Sequence, residues 1–122
     1  MGYKILYIQS KPVSKPIEFR GSPLSDLRAF PLSARRDAGY QLDLVQQGLA
    51  PDDWKSMNTV GRGVKEIRIH DVAGAFRVIY LARLGDAVYV LHCFQKKTAK
   101  TRQADLDLAA QRYRDLLKES GL

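Results

Sequence analysis

One cysteine and two histidines in 122 residues leave little material for a disulfide framework or a metal centre. Cys93 alone can make neither, which points to a reducing compartment, with the cytoplasm as the expected location. His70 and His92 stand at unrelated spacings, with no HExxH, CxxC or carboxylate cluster, so neither a metal nor another cofactor is expected. No Gly-x-Ser-x-Gly phrase supports a serine nucleophile. Long apolar runs are also missing. The longest near the start, Ile5 to Ile8, falls short of the about 7 to 15 residues of a signal core and the about 20 of a membrane span. Acids are the scarcer charge, thirteen against twenty Lys plus Arg, and the resulting +7 makes a polyanion or an acidic protein the natural partner. Solubility alone is the competing explanation of that excess.

What is present suits one domain with one modest core, at 45% hydrophobic and 27% charged residues. Residues 1–14 read as an extended N-terminal arm, because Lys11-Pro12 and Lys15-Pro16 break any strand begun over Lys4 to Gln9. The domain proper is expected over residues 15–122. Ile17-Glu18-Phe19 alternates as a first strand. Ser22 and Pro23 then open a helix as N-cap and first residue, with Asp26 in its first turn. After Pro31 a second helix follows, its apolar stripe running Ala34, Ala38, Leu42, Val45 and Leu49, with Gly48 as its cap and Pro51 as its stop. Gly39 costs that helix up to about 1 kcal/mol relative to alanine, and close packing against a neighbour is the expected reason.

Asp52 to Gly63 reads as a loop holding Trp54 and Lys55. Its Gly61-Arg62-Gly63 triplet lacks the preceding strand and the Gly-Lys-Ser/Thr of a phosphate loop, and is expected to be a turn into a strand. Val64 to His70 alternates, with the isoleucines at one parity and Glu66, Arg68 and His70 at the other. Two β-rich runs follow, AFRVIYLAR and AVYVLHCFQKKT, joined by a short Leu-Gly-Asp connection. Leu106, Ala109, Tyr113 and Leu116 define a final amphipathic helix. The order strand, helix, helix, three strands, helix predicts an α+β fold: an antiparallel sheet backed by an N-terminal helical hairpin, plus a C-terminal helix, with the helices segregated to one side.

The chemistry on offer is cationic. Arg68, Arg77, His92, Lys96, Lys97 and Lys100 lie on or just beyond three neighbouring strands, and Lys96 to Arg102 holds four cations in seven residues. Such a set suits attack of a ribose 2′-hydroxyl on its own 3′-phosphate, where fixed cations offset the charge growing on phosphoryl oxygens without a metal ion. Arginine offers a planar fork of donors, lysine a movable point charge, and a histidine kept neutral by cationic neighbours a proton acceptor. Arg77, His92, Lys96 and Lys97 are therefore the candidate catalytic residues, with Lys55, Arg68, Lys100 and Arg102 as RNA contacts. Each has a plainer reading. Arg77 can pair with Glu66 across the sheet, which would withdraw it from substrate; His92 can be a hydrogen-bonded core residue; the lysines can be a solvated strand end.

The phrases DLRAFP (Asp26 to Pro31), GVKEIRI (Gly63 to Ile69), FRVIY (Phe76 to Tyr80) and YVLHCFQKKTAKT (Tyr89 to Thr101) resemble the phage-derived, HigB-like branch of the RelE/ParE toxin superfamily. The resemblance spans about Lys15 to Leu117. It implies an antiparallel sheet backed by a helical hairpin, and the toxin of a type II toxin–antitoxin pair. That toxin would be a ribosome-dependent, metal-independent endoribonuclease cutting messenger RNA, silenced by a small antitoxin that commonly carries a helix-turn-helix. Arg77 matches the arginine such toxins set on the scissile phosphate. Lys96 or Lys97 falls where a second cation stands, and Arg68 resembles a basic position on the preceding strand. No tyrosine follows the second cation closely, since Tyr113 lies on the final helix, so the general acid and base remain open between His92 and a lysine. Two alternatives keep the basic surface and change its use: a ParE-like toxin that binds and poisons DNA gyrase, and a non-catalytic nucleic-acid-binding module.

Overall fold

The computed structural model describes residues 14–121. The N-terminal arm expected over residues 1–14 lies, except for Ser14, outside them. Strand β1 (Ile17–Phe19) leads into helix α1 (Pro23–Arg28), and helix α2 (Leu32–Gln46) follows after Pro31. Strands β2 (Trp54–Ser56), β3 (Val64–Asp71), β4 (Gly74–Leu81) and β5 (Val88–Lys96) precede helix α3 (Gln103–Glu119). One five-stranded sheet runs in the order β1-β5-β4-β3-β2. Neighbours from β2 to β5 pair antiparallel, as the consecutive runs predict, and β1 joins β5 in parallel.

Local chemistry accounts for the helical hairpin. Pro23 opens α1 with Asp26 in its first turn, though the Ser22 hydroxyl bonds the Asp26 carboxylate (2.8 Å) rather than capping a backbone N–H. Helix α2 ends as its sequence dictates. Gly48 takes φ +82° and donates to the Val45 carbonyl, while Leu49 N–H reaches back to Leu44, so the last carbonyls are satisfied. Leu49 itself leaves the apolar stripe and is 55% exposed. No atom lies within 4 Å of where a Cβ on Gly39 would stand, so close packing is not what places a glycine there.

Two further expectations are corrected. Trp54 to Ser56, read as loop, is a strand paired with β3 through Trp54–Ile67, Lys55–Glu66 and Ser56–Lys65. All three residues are exposed, so no alternation marks them. The helices also occupy both faces of the sheet. Leu27, Phe30, Ala38 and Leu42 of the hairpin pack on Ile67, Phe76, Val78 and Val90. Ala109 and Leu116 of α3 pack on Val64, Ile79, Leu81 and Leu91 on the opposite face. The reason lies in β4, where Phe76 to Leu81 are all buried: a strand apolar at successive positions needs cover on both sides.

Candidate functional site: a cationic groove on the sheet

Strand register decides which charged residues meet. The Val72-Ala73 turn sets Asp71 opposite Gly74, so Arg68 falls opposite Arg77 and Arg77 opposite Phe94. One row along, Lys55, Glu66, Ile79 and His92 follow one another across four strands, and Lys96 lies opposite Ala75. All these positions share the parity of Val64 on β3, Ile79 on β4 and Phe94 on β5, and therefore belong to the α3 face; a bulge at Leu91 brings that residue to the same side. Beyond the first turn of α3 that face opens into a groove of about 570 Å³, lined by Lys55, Lys96, Lys100, Asn58, Thr59 and Leu106. Three of the predicted cations thus come together from β2, the end of β5 and the following turn. Lys96 donates to the Ala99 carbonyl (2.9 Å) and so holds that turn against the strand end. Lys97, past the last paired residue, is exposed and does not line the groove.

Beneath the lysines lies a buried charge pair. Arg77 Nε stands 3.5 Å from Glu66 Oε1, with the side chains 8% and 1% exposed, and Arg77 Nη1 donates to the Phe76 carbonyl. The expected free guanidinium is therefore not found. Glu66 holds it, because an arginine on a covered sheet face is costly without a carboxylate. Neither partner is fully satisfied: Arg77 Nε and Glu66 Oε2 have no hydrogen-bond partner. Burial pushes the Glu66 carboxyl above its ordinary range, while Arg77, Lys55, Lys96 and Arg68 pull it back down. That opposition places Glu66 electrostatically at the centre of the cation set.

The other predicted residues are distributed differently. Arg68 is fixed at the sheet margin by Asp53, with Nε and Nη2 each 3.0 Å from Oδ1, and His70 Nε2 lies 2.9 Å from Oδ2 of the same carboxylate. The His70 contact, with Arg68 adding to it, holds Asp53 below its ordinary range. His92 does not face cations alone. Its Nε2 lies 2.8 Å from Asp105 Oδ1 in the first turn of α3, its ring stacks on Phe94 at 4.8 Å, and its Nδ1 is buried without a partner. Arg102 lies 3.6 Å from Asp105 with its side chain 61% exposed. His92 thus reads as the tie between β5 and α3. Cys93 is buried, and burial pushes its thiol far above the ordinary range, away from reactivity.

Glu66, Asp53 and Asp105 are the site residues that sequence reasoning underrated: Glu66 was weighed only as a counter-ion to Arg77, and Asp53 and Asp105 were given no part in the site. The signal for Glu66 existed. A two-residue turn at Val72-Ala73 fixes the register and places Glu66 and Arg77 on one face in adjacent rows.

A family model of the phage-derived Gp49-like proteins (DUF891) matches residues 25–114. The chain belongs to that family. Gp49-like proteins fall within the RelE/HigB-like toxin group, and the match runs from α1 into α3, covering the groove lysines, the Glu66–Arg77 pair and the His92–Asp105 tie. Membership is consistent with the toxin of a toxin–antitoxin pair, and so with an antitoxin partner. Comparison with curated proteins found no match. Among the described residues of this Gp49-like chain no helix is long and apolar enough to cross a membrane.

Proposed function

We propose that this Gp49-like protein is a HigB-like toxin that cleaves messenger RNA on the ribosome. The observation that carries the reading is the convergence of Lys55, Lys96 and Lys100 on one open groove, on a chain of the RelE/HigB-like toxin group. In this scheme the lysines grip successive phosphates and oppose the charge gathering on the scissile one as the 2′-hydroxyl attacks. The P–O5′ bond breaks, leaving a 2′,3′-cyclic phosphate and a 5′-hydroxyl. The 2′ proton departs to solvent in the open groove and the 5′ oxygen gains one, with Lys96 supplying a proton at the leaving oxygen. Arg77 and Glu66, nearly sealed from solvent, act from below: the pair fixes the sheet under the groove and sets the field that the lysines feel.

The reading is tested by mapping RNA ends on translating ribosomes after brief expression. Codon-phased cuts are expected from the natural protein. Lys96→Ala should lower their yield about 10²-fold or more, the scale of a lost proton donor and phosphate contact. Lys97→Ala should lower it far less. Lys97→Ala, at an exposed position, should stay within about 0.5 kcal/mol of the parent in stability, and Lys96→Ala, which at a half-buried position gives up the tie to Ala99, within about 1.5 kcal/mol. Intact RNA with broken DNA would instead identify a gyrase poison.

A further inference from the structure

We propose that the outer face of α2 is the docking surface for an acidic amphipathic helix of a partner protein. The inference rests on the toxin reading, whose antitoxin it describes chemically. Three observations on one patch carry it. Leu32, Arg36, Gly39, Tyr40 and Asp43 follow the helical period along the side opposite buried Ala34, Ala38, Leu42 and Val45. Leu32 is 50% and Tyr40 56% exposed, so two large apolar side chains stand in water on that stripe. Between them Gly39 presents bare backbone, with nothing within 4 Å of its added Cβ and no positive φ to require a glycine. Within the chain, Gly39 therefore weakens the helix without return; against a second helix it permits close backbone approach.

Charge names the partner. Arg28, Arg35 and Arg36 cluster where α1 gives way to α2, and Arg35 Nη1 bonds only the Arg28 carbonyl, at 3.3 Å. Among the described residues none of the three has a carboxylate within ion-pair distance. The positive end of the α2 dipole adds to the same field. Carboxylates on a partner helix would satisfy these arginines while its apolar residues cover Leu32 and Tyr40. A nucleic acid fits less well, because the apolar side chain of Leu32 offers its phosphates nothing.

The test uses the full chain and, as probe, a synthetic amphipathic helical peptide with glutamates flanking a leucine stripe. Hydrogen exchange of the complex should show added protection over residues 32–43. The Arg35→Glu/Arg36→Glu protein should lose at least ten-fold in affinity, and reversing the peptide's glutamates to lysines should restore it. Gly39→Gln should raise the melting temperature of the free chain yet weaken the complex. A complex indifferent to these changes, or protected elsewhere, overturns the inference and leaves the nuclease reading standing. Arginine reversals that loosen ribosome binding while sparing the complex would assign the patch to RNA and overturn it too. Absence of phased cuts from the natural protein would sink the nuclease reading by itself, without touching the docking result.

Discussion

At the scale of single residues, the Glu66–Arg77 pair is where stability and activity are hardest to separate. Arg77→Ala would strand a carboxylate that is 1% exposed, and truncating one member of a buried pair costs about 3–5 kcal/mol. Replacing both, as Arg77→Met with Glu66→Leu, should return urea stability to within about 1–2 kcal/mol of the parent, since apolar substitutes avoid desolvating two charges. Should the double variant fold well and cut poorly, the pair's field matters to cleavage; normal cutting would confine the pair to structure. Acidity gives a second readout. The folded state holds the Glu66 proton more tightly than the unfolded chain, so its contribution to stability is full below the ordinary carboxyl value of 4.5 and is lost as pH rises through the raised folded value. Glu66→Gln should remove that decline. Urea melts of both proteins at a series of pH values from 4 upward would show a gap that widens with pH; parallel curves would contradict the assignment.

At the scale of elements, the sequence announced most of what formed, and its silences have physical causes. The helical hairpin was legible because Pro23, Pro31 and Gly48 punctuate it and Ala34, Ala38, Leu42 and Val45 keep helical spacing. Strand β2 was not, since Trp54, Lys55 and Ser56 are all exposed and owe their extended form to pairing with β3 alone. The side of the sheet taken by α3 was missed although Phe76 to Leu81, apolar at nearly every position, already asked for cover on both faces. Arg77 was seen as costly in a strand, yet which charge would answer it depended on register, a property of two strands and a turn. Gly61 shows a related limit, its reason lying forty residues and more away. A Cβ there would stand 2.4 Å from the Tyr113 ring, whose hydroxyl donates to the Arg62 carbonyl at 3.0 Å. Gly61→Ala should therefore cost about 1–3 kcal/mol by overpacking the seam between the β2–β3 loop and α3. In a Tyr113→Ala background the same change should cost little, and a double-mutant cycle by urea unfolding measures the coupling. Additive costs would mean that the strain lies elsewhere.

At the scale of the whole molecule, a charge of +7 is only a bias; its placement decides what it does. Several cations are spent internally: Arg77 on Glu66, Arg68 on Asp53, Arg20 on Glu18 and Glu119. The groove lysines face solvent on the α3 side, while Arg28, Arg35 and Arg36 belong to the hairpin on the other side of the sheet. Two basic surfaces on opposite faces allow a polyanion and an acidic protein to be met separately, and salt dependence can tell them apart. Each phosphate neutralised on a single strand contributes about −0.7 to the slope of log affinity against log salt. Three groove lysines should therefore give a slope near −2 with 2′-O-methyl RNA, which binds but lacks the attacking hydroxyl. Lys55→Ala, Lys96→Ala and Lys100→Ala should each flatten it by about 0.7, measured by fluorescence anisotropy across a salt series. Arg35→Glu/Arg36→Glu should leave it nearly unchanged if RNA is held on the α3 side alone. A slope that drops as much with the α2 arginines as with the lysines would show RNA wrapping both faces, and the division of labour between the two surfaces would be wrong.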